Sequence, residues 1–80
     1  IMSYAPFVEE LVKSIVGSPE QVVIDEVLEG NTRTFNVRVA QDDVGKVIGK
    51  SGRVISAVRQ VVSAVASKSK EKAYVKIVTE

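Results

Sequence analysis

The stretch VGKVIGKSGRVI, residues 44–55, decides how the chain is read. Two apolar pairs, Val47-Ile48 and Val54-Ile55, flank Gly49-Lys50-Ser51-Gly52. One reading is a nucleotide-binding loop, in which glycine amides and a lysine cradle a triphosphate. The other is a sharp corner between two helices that grips the backbone of a nucleic-acid strand. Both set a phosphate against the same amides, so spacing and surroundings must discriminate.

Spacing rejects the first. A Walker loop runs G-x-x-x-x-G-K-[ST], whereas Gly45 and Gly49 enclose only Lys46, Val47 and Ile48. Val47 and Ile48 are bulky and apolar, which suits a helix facing a core. No later strand ends in a carboxylate placed to hold magnesium, and 80 residues are too few for the parallel sheet of such an enzyme. The corner reading accounts for each residue. Without a Cβ, Gly49 and Gly52 accept positive φ and let a polymer backbone lie close. The amides of Ser51, Gly52, Arg53 and Val54 open a long helix, whose dipole favours a phosphate there. Lys50 adds a mobile charge and Ser51 a hydroxyl. A plain helix–turn–helix corner also often contains glycine; the paired glycines, apolar flanks and basic surroundings set this one apart.

Working outward, Asp42 is placed to cap a short helix through Val44–Ile48. A longer helix is expected over residues 53–67, then a polar loop over 67–72. A last strand follows over 73–79, with Val75 and Ile77 on one face and Tyr74 and Lys76 on the other. Upstream, Phe35, Val37 and Val39 alternate with Thr34, Asn36 and Arg38, a strand pattern. A turn over residues 29–32 joins it to an earlier strand over 21–28, whose alternation falters at Asp25-Glu26. The first helix shows Phe7, Val8, Leu11, Val12, Ile15 and Val16 on one face, with Pro6 in its first turn and Gly17-Ser18-Pro19 as its stop. The order is α-β-β-α-α-β. It predicts a single α+β domain over residues 1–80, with a three-stranded mixed sheet and helices on one face.

Composition bounds the function. An apolar fraction of 45% is that of a globular chain. The chain has no cysteine and no histidine, which excludes thiolate or imidazole metal sites and Cys or His nucleophile–base pairs. No apolar run reaches the ~18 residues of a membrane span, and a soluble cytoplasmic protein is expected. Net charge is +1, but residues 1–40 carry three basic and six acidic groups while residues 41–80 carry eight and four. That asymmetry fits either an anionic partner met by the second half or solvated helix and loop surface.

VIGKSGRVI resembles the signature of a KH domain, and the α-β-β-α-α-β order resembles its type II, prokaryotic form. The longer string DDVGKVIGKSGRVISAVRQVV, with the chain's length, is similar to the small bacterial single-KH proteins of the KhpA type. The resemblance implies a cytoplasmic single-stranded RNA-binding protein, an RNA chaperone or post-transcriptional regulator. It implies links to cell shape and cell division in some bacteria. It also implies a homodimer, or a heterodimer with a larger KH protein of the KhpB (Jag or EloR) type. Carried over by position, the GxxG loop is Gly49, Lys50, Ser51 and Gly52. Family members often place two basic residues between the glycines; here they are lysine and serine, one charge fewer.

Such a clamp holds about four nucleotides by their backbone. Lys50 and Arg53 are the expected phosphate contacts, with Lys46 and Arg59 beyond them and Lys68, Lys70 and Lys72 as possible flanks. Ile48 and Ile55 are expected to floor the groove. Phe7 and Phe35 are assigned to the core, leaving Tyr4 and Tyr74 as possible contacts, a poor supply for a stacking platform. On the long helix, Val54, Ala57, Val58, Val61, Ala64 and Val65 form one stripe, widened by Ile55, Val62 and Ala66 to an arc of roughly 200°. One core needs less than this, so Val62 and Ala66 are candidates for a dimer contact, or are simply covered by the sheet and first helix. No enzyme, cofactor, metal or small-molecule substrate is expected: the acidic residues are scattered, and Asp42-Asp43 reads as a helix start. The rival reading is a dimerising scaffold whose clamp is vestigial.

Overall fold

The structure is a computed structural model and describes residues 4–79. Helix α1 covers Ala5–Lys13, and strands β1 (Val23–Glu29) and β2 (Thr32–Arg38) form a hairpin. Helix α2 (Val44–Ile48), helix α3 (Arg53–Lys68) and strand β3 (Lys72–Ile77) complete the order expected from sequence. Strand β2 is central, antiparallel to β1 and parallel to β3. The crossover through α2 and α3 is what allows the parallel pair.

The two-residue period of β2 turns Arg33, Phe35 and Val37 inward and Thr34 and Asn36 outward. Phe35 is fully enclosed, in one core with Val8, Val12, Val47, Val58 and Val75. Val62 and Ala66 are also 0% exposed. They lie in the chain's own core and offer no surface to a second copy, which corrects their assignment as dimer contacts. On the wide arc of α3, Ile55, Val58, Val62 and Ala66 face the core, while Ala57, Val61 and Ala64 stay exposed.

Three further corrections have local causes. Phe7 is 41% exposed, and Tyr4 takes the core place expected for it, at 8%. Tyr4, Val8 and Val12 follow one line at four-residue spacing, and Phe7 lies off it. Helix α1 stops at Lys13 although Ile15 and Val16 keep the helical spacing. Just beyond, the amides of Gly17 and Ser18 donate to the Asp43 carboxylate at 3.1 and 3.0 Å. The working acid at the start of α2 is therefore Asp43 rather than Asp42, and it ties down the α1–β1 turn instead of capping its own helix. Strand β1 alternates poorly because it is a sheet edge, with Val23, Val27 and Leu28 all about half exposed.

Candidate nucleic-acid interface

The corner between α2 and α3 is built from backbone. Gly49 ends α2, its amide donating to the Gly45 carbonyl at 2.8 Å. Its φ of 79° and ψ of 174° fall in a region open essentially to glycine alone. A Cβ there would stand 2.4 Å from Val54 Cγ2 and 2.8 Å from the Val54 nitrogen. Gly49 thus makes room for the first turn of α3, and not, as expected, for a polymer. Gly52 is different. It is left-handed, at φ 72° and ψ 16°, and a Cβ there would have nothing within 4 Å. The open side of the corner lies at Gly52.

Between the glycines, Ser51 is left-handed too, at φ 57° and ψ 28°. A residue with a side chain costs roughly 1–2 kcal/mol in that conformation. Two of the four amides expected to be free are used inside the turn: Gly52 donates to the Gly49 carbonyl at 3.1 Å, and Arg53 to that of Lys50. The positive end of the α3 dipole nevertheless stands uncompensated. No side chain caps it, and its first turn holds no acid. Lys50 and Arg53 are exposed there, and among the described residues neither makes an ion pair.

The other expected contacts divide. Lys46 Nζ lies 3.5 Å from Asp43 Oδ1, so part of its charge is already answered. The Gly17 amide, burial working against it, and then the Ser18 amide and Lys46 hold the Asp43 carboxyl below its usual range. Ile48 is half-buried at the corner, but Ile55 is 6% exposed and belongs to the core, which corrects its place in the groove floor. Arg59 is exposed and its Nε donates to the Val75 carbonyl at 3.1 Å, on the outer edge of β3. It sits seven residues past Gly52, about 10 Å along the helix. There a groove between α3 and β3 is lined by Arg59, Ser63, Ala73, Tyr74, Val75 and Lys76. Corner and groove follow one flank of α3.

At the far end of α3 lies a cluster that the sequence reading missed. Arg33 is 5% exposed; its Nε and Nη2 donate to the two carboxylate oxygens of Glu71, each at 2.9 Å, and its Nη1 pairs with Glu26. Tyr4 Oη donates to Glu71 at 3.0 Å, and its ring lies 5.0 Å from the guanidinium carbon and 5.4 Å from the Phe35 ring. The Arg33 hydrogen bonds hold Glu71 below the usual carboxylate range; burial, then Glu71, pushes the Tyr4 hydroxyl up. One signal was present in the sequence: Arg33 occupies an inward position of the alternation that carries Phe35 and Val37. Lys68, Lys70 and Lys72 stand exposed beside this cluster. Among the described residues no set of three acidic or other ligating side chains could hold a metal, and no helix is long and apolar enough to cross a membrane.

Comparison with known proteins agrees with this architecture. The family model of the KhpA/KhpB KH domain matches residues 5–77. An RNA-binding protein KhpA of Clostridium perfringens is 44% identical over 89% of this chain and 95% of its own length. One from Chlamydia trachomatis is 40% identical over 92% and 95%, and one from Oceanobacillus iheyensis 40% over 88% and 93%. No solved structure matches the chain. With this topology, this glycine corner and agreement along nearly the whole sequence, the chain belongs to the KhpA/KhpB family of KH domains.

Proposed function

We propose that the protein binds single-stranded RNA in the cytoplasm, holding the sugar–phosphate backbone at the Gly49–Gly52 corner, and acts as an RNA chaperone or post-transcriptional regulator. The observation that carries this reading is the open side of that corner. Gly52 faces empty space at the uncapped head of α3, with Lys50 and Arg53 beside it, neither in an ion pair among the described residues. A phosphate there meets a positive dipole end, a mobile ammonium and a guanidinium. Similar chains named RNA-binding protein KhpA support the choice of ligand. The groove toward Arg59 gives the strand a path along α3.

Two or three neutralised phosphates make a weak site, with a log–log salt slope of roughly −1.4 to −2.1. A second KH module, from another copy or from a KhpB-type partner, multiplies such affinity by raising effective concentration. Since Val62 and Ala66 are enclosed, the apolar surface available for pairing on α3 is the exposed line of Ala57, Val61 and Ala64.

Replacing Lys50 and Ser51 together by aspartate tests the reading. Aspartate tolerates the left-handed region, so the thermal melt should match the parent. Affinity for unpaired RNA, measured by fluorescence anisotropy, should fall more than about tenfold. If variant and parent bind alike, the clamp is vestigial and the domain is a dimerising scaffold.

A further inference from the structure

The open face of the sheet is not chemically uniform. Its outward positions pair in rows across the three strands: Glu29 with Thr32 and Lys72, Val27 with Thr34 and Tyr74, Asp25 with Asn36 and Lys76. Acids therefore lie along β1 and lysines along β3, with a polar column of Thr32, Thr34 and Asn36 between them. The acidic and basic columns are two strand spacings apart, about 10 Å. On β3 the order is lysine, tyrosine, lysine, each roughly 7 Å from the next along the same face.

Tyr74 is 52% exposed, against 8% for Tyr4. It also belongs to the groove beyond the corner, where it borders Arg59, Ser63 and Lys76. Tyr74 thus belongs both to that groove and to the open sheet face, at the edge of β3 that joins them. Strand β3 is an edge strand, so no further strand stands between them.

From this placement we infer that Tyr74 is a base-stacking contact, and that the RNA site runs past the corner, along α3 and over the β3 edge onto the Lys72–Tyr74–Lys76 face. The inference rests on the RNA reading above and extends it. The chemistry selects the occupant. An exposed aromatic between two cations offers a π-face to a base and charge to the phosphates on either side, the combination that holds single strands without reading their sequence. A protein partner would call for an apolar centre, and the neighbours of Tyr74 on this face are Thr34, Asn36 and the two lysines. The acids of β1 keep a polyanion to the β3 side.

The test uses the full chain with two labelled single-stranded RNAs, one of about four nucleotides, which fills the clamp, and one of about ten. Tyr74→Thr removes the ring and keeps a β-branched residue suited to a strand; Tyr74→Phe keeps the ring. By anisotropy, Tyr74→Thr should weaken the longer RNA about tenfold and leave the shorter one unchanged, while Tyr74→Phe matches the parent on both. The chain has two tyrosines and no tryptophan, so quenching of its fluorescence by the longer RNA reports stacking on the exposed ring, and Tyr74→Phe should abolish it. If Tyr74→Thr binds the longer RNA like the parent while the Lys50, Ser51 double aspartate variant does not, this inference is wrong and the RNA reading stands. Equal loss on both RNAs would put the ring inside the clamp's own footprint and overturn the extension. A change in sedimentation with RNA affinity intact would assign the face to a second copy, also against it. If the parent binds neither RNA, both readings fall.

Discussion

Helix α3 is bounded at both ends by a left-handed residue that is not needed for glycine's sake. Ser51 precedes it and Lys70 follows it, each at φ 57°. Around Lys70 the strain is enclosed by bonds. The Glu71 amide donates to the Ala66 carbonyl and the Lys70 amide to that of Ser67, both at 3.0 Å, which closes the helix in a Schellman motif. Glu71 then delivers its carboxylate to Arg33 and Tyr4 in the interior. Around Ser51 only the turn's own two bonds close, Gly52 to Gly49 and Arg53 to Lys50; there is no side-chain cap and no acid, and among the described residues no ion pair on Lys50 or Arg53. One corner spends its polar groups on the fold, and the other leaves them for a ligand. A residue in each should therefore affect a different measurement.

The largest effect belongs to the closed corner. Arg33→Met removes the guanidinium that binds both carboxylate oxygens of Glu71, and breaking such a buried pair costs about 3–5 kcal/mol. Total stability for a domain is only ~5–15 kcal/mol, so the urea midpoint should drop steeply. RNA affinity of the protein that remains folded should be that of the parent, because the clamp lies at the other end of α3. A loss of affinity equal to the loss of stability would show that the two corners are not separable.

The open corner can itself be divided, since its two glycines do different work. Gly49→Ala drives a methyl into Val54 at a positive φ, and should cost about 2–4 kcal/mol in a thermal or urea melt. Gly52→Ala meets no atom within 4 Å and should cost only about 1–2 kcal/mol of left-handed strain. Its methyl, however, projects into the space assigned to the strand. Gly52→Ala should thus lose more in RNA affinity than its small change in stability accounts for. Equal melts for the two variants would remove the distinction between a glycine kept for packing and one kept for the ligand.

What the sequence made legible was whatever has a period or a fixed spacing. The alternation of β2 and the stripe of α3 placed the elements, and the glycine spacing placed the corner. Patterns failed where a contact joins distant residues. Arg33 and Glu71 are separated by 38 positions, and Asp43 holds a turn 26 residues away. They failed again where a periodic face meets solvent or core in a way that spacing does not encode. Phe7 satisfies the helical pattern and is exposed; Val62 and Ala66 exceed it and are enclosed. Gly49 and Gly52 look equivalent in the string, and only the approach of Val54 separates them.

The smallest predicted effect compares the two corners most directly. Glycine at position 70 relieves roughly 1–2 kcal/mol of left-handed strain and returns about 0.4–1 kcal/mol through a more flexible unfolded chain. Lys70→Gly should therefore stabilise the fold by roughly 0–1.6 kcal/mol, read as a modest rise in the urea midpoint with RNA affinity little changed. Ser51→Gly relieves the same torsion and should stabilise by a similar amount. The difference must appear in binding. At the closed corner the bonds of Glu71 hold the loop in place whatever occupies position 70. At the open corner only two backbone bonds within the turn hold the bend, with no side chain tying it down, so glycine at 51 removes the hydroxyl and loosens the geometry that a phosphate meets, and ordering it again on binding costs affinity. Ser51→Gly should emerge more stable and a weaker RNA binder. If it binds as well as the parent, the left-handed serine contributes nothing to the clamp, and the strain at its corner has no more to do with RNA than the strain at Lys70.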